Sequence, residues 1–406
     1  MVAGQPPDAR ASCSSRVKIL HVVASYLPAM RYGGTIVSVH GLCRALAERG
    51  HDVHVFTTSV DGDRDSDVPH ETPVVLDGVH VWYFRSPRFR RLYWAPGLRR
   101  TLRRHVGEFD VVHTHAIYLW PLWTAARLAR QAGVPYVVSP RGMLEKQLIE
   151  QKSAVWKAGL IGFIEKRTLE HAAAVHMTSR REAEQAAAFG FQLPPVHVIP
   201  NGVTIERSSG TRVSEGISDI AGSDPYVLFL GRVNWKKGLD RLINAMAHAG
   251  NVRLVIAGND EEEYALVLDD LARQAGVSDR VIFTGPVHGK DKAALLSSAR
   301  VLVLPSYSEN FGNVVVEAMA AGCPVIVTRE VGIADAVEQA GAGLVVDGTP
   351  AALGGAIGAL AGDTRRREEM GARGRAAAAA QFSWPAVAAR MEQLYQTVAA
   401  RRTVHA

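Results

Sequence analysis

The chain has 406 residues, 47% hydrophobic and 21% charged, with mean hydropathy +0.01, proportions that exclude a disordered, fibrous or polytopic membrane protein. At ~100–200 residues per domain, this length suits two domains with sizeable cores. The 46 Lys and Arg against 40 Asp and Glu leave +6, too small an excess to name a partner by itself.

Residues 1–16 are polar, lack an apolar h-region and read as a disordered tail rather than a signal peptide. From Val17 the chain alternates β-branched runs with helical patterns. Strands are predicted at 17–24, 53–58, 79–84, 110–115, 135–140, 173–179 and 196–202. Most carry apolar residues on both faces, as strands of a parallel sheet covered by helices should. Between the first two, Ile36, Val39, Leu42, Cys43 and Leu46 keep helical spacing and Gly50 supplies a stop. Residues 205–224 are rich in Ser, Gly and charge and read as a linker. The alternation restarts with strands at 226–231, 252–258, 280–285, 301–305, 324–328 and 343–347. The expected architecture is α/β: Rossmann-like doubly wound domains at 17–204 and 225–385 facing an interdomain cleft, closed by a helix at 386–406. Cys13, Cys43 and Cys323 show no CxxC or Cys/His spacing, which excludes a disulfide scaffold and a structural zinc site and suits a reducing compartment. No apolar run reaches the ~20 residues of a membrane span.

Ligands of such sheets bind beyond the carboxyl ends of the strands, so residues there carry the functional argument. In SYSENFGNVVVEAMAAG (306–322), Glu309 and Glu317 lie eight residues apart. A helix beginning near Gly312 would offer the amides of Phe311 to Val314 to hydroxyl or phosphate oxygens. Eight helical positions span ~12 Å, too far for a glycosidase pair at ~5–9.5 Å and suited to opposite ends of an elongated hydroxyl-rich ligand. GRVNWKKG (231–238) puts Arg232, Lys236 and Lys237 at another strand end before an amphipathic helix, where cations and free amides suit a diphosphate. It is no Walker A loop, and no GxGxxG occurs in the chain. Gly33 and Gly34 permit close backbone approach at a helix start. His113 and His115 share a face of their strand. A metal pair there would need further ligands that two open sheets do not provide, and DGDRDSD (61–67) lacks the Gly and Glu of a calcium loop.

Together these segments resemble a known family. ENFGNVVVE resembles the E-x7-E signature of retaining GT-B glycosyltransferases, family 4. GRVNWKKG resembles the family's diphosphate loop. YGGTIVSVHGLCRALAERGHDVHVFTT, DVVHTH and VIPNGV follow its order from about residue 17 to 398. The resemblance implies that Arg232 and Lys237 hold the donor diphosphate, with Gly33 and Gly34 against the phosphate and acceptor. It implies that Glu317 binds the ribose, and that Glu309 binds the transferred sugar beside Asn310, Phe311 and Gly312. His115 would reach the donor sugar from the first domain, and the loop at Val287 would pass the base. Similar enzymes use no metal or cofactor; a UDP- or GDP-linked sugar is the co-substrate. SPRGMLEK (139–146) resembles a subgroup seen in bacterial polysaccharide assembly, which would turn Arg141 toward a glycan or polyprenol-linked acceptor. A GT-B-like nucleotide-sugar epimerase, a two-lobed sugar-binding protein and a metal-dependent hydrolase remain alternatives.

The segment 85–105, RSPRFRRLYWAPGLRRTLRRH, holds eight arginines and no acid, interrupted by Leu92, Tyr93 and Trp94, with Leu98 and Leu102 four apart. This pattern predicts a cytoplasmic protein in peripheral contact with an anionic inner membrane face. No nucleic-acid motif accompanies the charge.

Overall fold

Val- and Ile-rich runs form two separate sheets in the computed structural model, which describes residues 16–29, 33–144, 164–204, 213–222, 224–260 and 262–404. The first contains β1 (Lys18–Ser25), β2 (Asp52–Thr58), β5 (Pro73–Leu76), β6 (Val79–Phe84), β7 (Val111–His115), β8 (Tyr136–Ser139), β9 (Ala174–Met177) and β10 (Val196–Val198), with a small separate hairpin of β3 (Val60–Asp61) and β4 (Arg64–Asp65). Its order is β10-β9-β8-β7-β1-β2-β6-β5, parallel except for β5, which pairs antiparallel with β6. The second contains β11 (Tyr226–Leu230), β12 (Arg253–Ala257), β13 (Val281–Gly285), β14 (Val301–Leu304), β15 (Val325–Thr328) and β16 (Gly343–Val346), ordered β13-β12-β11-β14-β15-β16 and parallel throughout. β7, β8, β9, β11, β14 and β15 are buried at every position, as their uninterrupted apolar runs require. Each strand predicted from the sequence is present. The edge strand β5 and the β3–β4 hairpin are additional.

The strand order reverses beside β1 in the first sheet and between β11 and β14 in the second. Crevices open at such reversals. The loops entering them carry Gly33 and Gly34 after β1, His115 at the end of β7, Arg232 to Lys237 after β11, and Glu309 to Gly312 after β14. The motifs therefore cluster because topology sends their loops to one place.

Two boundaries differ from expectation. Within 205–224, the segment Glu215–Gly222 is a helix whose Ile217 is buried in the second-domain core, and Ser214 bonds Asp291 through both N and Oγ at 2.9 Å. Two isoleucines three apart give that stretch an apolar side, so it belongs to the second domain; residues 205–212 lie outside the described residues. The closing helix runs Trp384–Val404 and returns to the first domain. Val387, Ala388, Met391, Leu394, Tyr395 and Val398 form a stripe at helical spacing, buried with Leu42 and Leu46 of the helix Gly34–Glu48. Each large apolar member contributes roughly 1.5–3 kcal/mol of burial. Trp384 wedges into the hinge, where a Cβ at Gly41 or Gly202 would overlap its indole.

Candidate active site

The second-domain half of the site is built from the loops after β11 and β14. Gly238 ends the first of these at φ 66°, and a Cβ there would overlap the Pro305 carbonyl, so glycine is required on two counts. The preceding turn, Trp235–Lys237, is tied to the second loop by Tyr307 N donating to Lys236 O at 2.8 Å. This brings two sequence-predicted residues into direct contact: the Lys237 ammonium is ion-paired with the Glu309 carboxylate, both side chains 19% exposed. Arg232 is exposed and makes no ion pair among the described residues.

Gly312, at φ 96°, caps the helix Asn313–Ala321. Glu309 therefore lies outside the helix, and the ~12 Å helical-rise estimate does not apply to its separation from Glu317. Its backbone is clamped instead, with Glu309 N donating to Glu330 O at 3.1 Å and Gly332 N to Glu309 O at 2.8 Å. Phe311 is buried, and its carbonyl accepts from Ile333 N. At the head of the helix Val315 N donates to Gly312 O at 2.9 Å, while the first-turn amides before it have no preceding helical turn to bond. Glu317 pairs with Lys292 at 3.0 Å. Lys292 stands on the helix Gly289–Ser298, which the half-buried Val287 loop introduces. Lys292 was missed because an isolated lysine in an amphipathic helix carries no signal.

The first domain closes onto that helix. Asn310 Nδ2 donates to Thr178 Oγ1, and Ser179 Oγ to Asn310 O, both at 2.8 Å; Asn201 Nδ2 donates to Asn313 Oδ1 at 2.9 Å. A Cβ at Gly34 would come within 2.9 Å of Asn313 Nδ2, so Gly34 lies against the helix Asn313–Ala321; Gly33 takes φ 69°. Asn310 thus spends its amide nitrogen on the first domain rather than on open cleft. The buried Glu182 accepts from Gly142 N at 2.6 Å, Thr178 N at 2.7 Å and Thr178 Oγ1 at 2.8 Å, holding both first-domain loops in place. Thr178, Glu182 and Asn201 follow strands, the one feature that could have singled them out.

His115, expected at the donor sugar, lies at the end of β7. It is fully buried, with Nδ1 3.1 Å from Arg141 Nη2 and Nε2 2.9 Å from His21 Nδ1. Its strand position brings the imidazole into direct contact with the Arg141 guanidinium. Because a guanidinium only donates, Nδ1 accepts and Nε2 carries the proton toward His21. A second chain is fixed from a backbone carbonyl: His176 Nε2 donates to Ile199 O at 2.8 Å, so its Nδ1 accepts from Ser139 Oγ at 2.6 Å. Ser139 then accepts from His113 Nε2 at 2.7 Å, and His113 Nδ1 accepts from Tyr395 OH at 2.6 Å. Every ring is neutral. Burial, and then the nearby Arg141 charge, push His21 down to about 3; burial and Arg141 likewise bring His176 to about 3, and burial first lowers His113 and His115. Arg141 itself adopts φ 57°, donates to Asn201 Oδ1 at 2.6 Å, and has no ion pair among the described residues.

Among the described residues two clusters place three potential ligand atoms close together: His21, His113 and His115, and Asp52, His54 and His80. Every nitrogen of His113 and His115 is engaged in the network above, and Arg141 sets a cation beside it, which opposes a second one. Asp65 of DGDRDSD accepts from Arg90 at 2.8 Å, so the acidic loop anchors the basic segment. Within that segment Leu98 and Leu102 are fully buried against the first-domain core, because they form the inner face of the helix Pro96–His105. The exposed apolar side chains are Phe89 (69%) and Leu92 (42%), on the turn before it. No described helix is long and apolar enough to cross a membrane.

Residues 33–202 match the glycosyl transferase 4-like domain model and residues 212–377 the glycosyl transferases group 1 model. The chain is 32% identical to a D-inositol 3-phosphate glycosyltransferase from Xylanimonas cellulosilytica, covering 91% of this chain and 93% of that protein. It is 31% identical to one from Acidothermus cellulolyticus over 87% and 83%. In fold it resembles sucrose-phosphate synthase from Thermosynechococcus elongatus (TM-score 0.73, 24% identity, 95% and 100% covered). It likewise resembles HepE from Anabaena in complex with UDP-glucose (TM-score 0.72, 20% identity, 94% and 100% covered). The paired sheets, the loops at their reversals and these matches together make the chain a member of the group 1, family 4-type glycosyltransferases with the GT-B fold.

Proposed function

We propose that the protein transfers a hexose-type sugar, with retention of configuration, from a UDP- or GDP-linked donor to a hydroxyl of a glycan or polyprenol-linked acceptor. The observation that carries this reading is the set of charged groups on the strand-end loops and the helix that follows: the Lys237–Glu309 pair before the helix Asn313–Ala321 and Glu317 with Lys292 along it, with Arg232 on the Lys237 loop. The diphosphate leaves toward Arg232 and Lys237, whose charge takes the place of a metal. The bond from the sugar's anomeric carbon to phosphate oxygen breaks, the electron pair stays on the diphosphate, and the acceptor oxygen bonds from the same face. The acceptor proton passes to the departing phosphate. Glu309 holds hydroxyls of the sugar and Glu317 those of the ribose. His115 acts beneath Arg141 as a positioning residue, and Arg141 faces the acceptor. Thermal-shift titration with UDP-, GDP-, ADP- and dTDP-sugars, followed by proton NMR of the product's anomeric signal, tests the proposal. An inverted anomer, or turnover of the sugar nucleotide without acceptor, refutes it; the latter would mark an epimerase.

The Arg141 cation, which touches only neutral partners, also favours a second reading, a phosphorylated polyol acceptor; relatives named D-inositol 3-phosphate glycosyltransferases support it. On the first reading the protein is cytoplasmic and docks peripherally on the anionic inner face of the plasma membrane. Exposed Phe89 and Leu92 enter the interface there, and Arg85, Arg88, Arg91, Arg99, Arg103 and Arg104 face the headgroups.

A further inference from the structure

The second domain carries a pocket of about 420 Å3 lined by Asp240, Arg241, Asn244, Tyr307, Thr349 and Pro350. Arg232, Lys237, Glu309 and Glu317 are not among its walls, although Asp240 follows Lys237 by three residues and Tyr307 precedes Glu309 by two. The volume falls within the range of small-ligand sites.

The pocket is ordered by its own contacts. Tyr307 OH donates to Asp240 Oδ2 at 2.7 Å, and the Arg241 guanidinium lies 3.5 Å from the Tyr307 ring centroid, covering one face. Gly348 makes room for that guanidinium; a Cβ there would overlap it. Two polar atoms are left over, since Asp240 Oδ1 and Arg241 Nη1 are buried without a protein partner. Tyr307 is nevertheless 37% exposed, and 6.5 Å from its ring stands Trp235, 49% exposed. One exposed aromatic is ordinary on a soluble protein. Two adjacent ones beside a carboxylate, a guanidinium and a carboxamide are a combination that suits a particular ligand chemistry.

That chemistry is a pyranose. Its axial C–H face stacks on an aromatic ring, and its ring hydroxyls, which both donate and accept, pair with the planar Asp, Arg and Asn groups. A nucleobase would share the stacking, but the phosphates it carries would meet Asp240, which cancels the Arg241 charge. The Tyr307 ring also loses little freedom on binding, because it is already fixed at its hydroxyl and one face. We propose that Trp235, Tyr307, Asp240, Arg241 and Asn244 form a saccharide platform separate from the transfer site, holding an oligosaccharide stretch of the acceptor. This rests on the glycan-acceptor reading above and narrows it to acceptors longer than one sugar. The platform also shares a backbone with the donor loop through Trp235–Lys237, so a bound glycan stays beside the site of elongation.

The test uses the full chain with neutral hexasaccharides: maltohexaose, cellohexaose, laminarihexaose and mannohexaose. Binding is read by affinity electrophoresis and by tryptophan fluorescence. At least one should bind saturably, and Trp235→Ala and Tyr307→Ala should each weaken it at least tenfold. UDP binding should be unchanged in both variants, and Lys237→Met should retain hexasaccharide binding. Asn244→Ala supplies a conservative third variant should Tyr307→Ala fail to fold. Absence of binding by every hexasaccharide overturns the platform, as does equal binding by wild type and the aromatic variants. Loss of binding with Lys237→Met would place the sugar in the transfer site and also overturn it. The UDP and GDP titrations report independently on the donor site, so failure of the transfer reading is seen separately.

Discussion

Lys237→Met keeps the aliphatic stem and removes the charge that pairs with Glu309 and, on the proposed reading, meets the donor diphosphate. Its partner Glu309 is left with a carboxylate that is 19% exposed, neither a surface group nor a sealed one. Exposed pairs contribute ~0–1 kcal/mol and broken buried pairs cost ~3–5 kcal/mol, so a stability loss of about 1–2 kcal/mol is expected, a few degrees in Tm for domains of this size. The barrier is affected more. Loss of one charge-assisted contact to the departing diphosphate raises it by ~2–4 kcal/mol, or ~30- to 1000-fold in kcat. Calorimetry and kcat at saturating donor separate the two effects. Lys237→Met/Glu309→Gln should then recover most of the Tm, since no unpaired carboxylate remains, and none of the turnover. A folded Lys237→Met enzyme with kcat within about threefold of wild type would refute the assignment. Recovery of turnover in the double variant would show that the lysine serves only to neutralise Glu309.

The two glutamates should part by role: Glu317→Ala weakens UDP or GDP binding, whereas Glu309→Ala leaves it nearly intact and abolishes transfer, and equal calorimetric losses for both would contradict the division. EDTA dialysis should leave activity in place; revival of a dead dialysed enzyme by magnesium or manganese would transfer the diphosphate role from Arg232 and Lys237 to a metal. The folded pKa values of His21 and His176 lie near 3 and the unfolded value near 6.5, so between those limits the unfolded chain binds more protons and stability is lost as pH falls. By pH 4.5 each should cost on the order of 3 kcal/mol, seen as a falling urea midpoint, and a midpoint flat from pH 7 to 4.5 would count against the buried neutral network. Flotation with anionic liposomes should fall with salt and with Phe89→Ser/Leu92→Ser; binding unaffected by both would leave the arginines as a solvated face.

The layers of this fold are legible in the sequence because the central strands, β11, β14 and β15 above all, are short runs rich in Val, Leu and Ile and buried at every position, and that requirement admits few alternatives. Likewise Gly238 and Gly312 are legible, since loops that turn sharply at strand ends need them. What the sequence does not disclose is which loop residues meet across the cleft. Asn310 appears in register with the donor motif, yet its amide nitrogen reaches Thr178, a residue of the other domain. His115 lies at the expected strand end, but only the three-dimensional course of the Arg141 loop determines that it is covered. Leu98 and Leu102 show the same limit: four-residue spacing identifies a helix face without saying whether that face meets lipid or core.

Cleft and hinge also differ in the kind of contact that holds them, and this bears on how substrates enter. At the hinge, Val203 N donates to Phe382 O at 2.7 Å, Val203 pairs with Ser383 across an isolated bridge, and Trp384 fills the space beside Gly41 and Gly202. The two chain crossings therefore meet at one packed point, and the closing helix buries an apolar stripe that water cannot replace. On the cleft side the described contacts are polar: Asn310 with Thr178 and Ser179, Asn201 with Asn313. Each such bond is worth only ~0.5–1.5 kcal/mol net, because water takes its place on opening. Separation of the domains at the cleft is thus far cheaper than separation at the hinge, and a rigid-body rotation about Val203 and Trp384 is the motion that the contacts permit. Such a rotation would carry Arg141 and Gly34 away from the helix Asn313–Ala321 and open its first turn to an incoming ligand, and closure would bring them back against it.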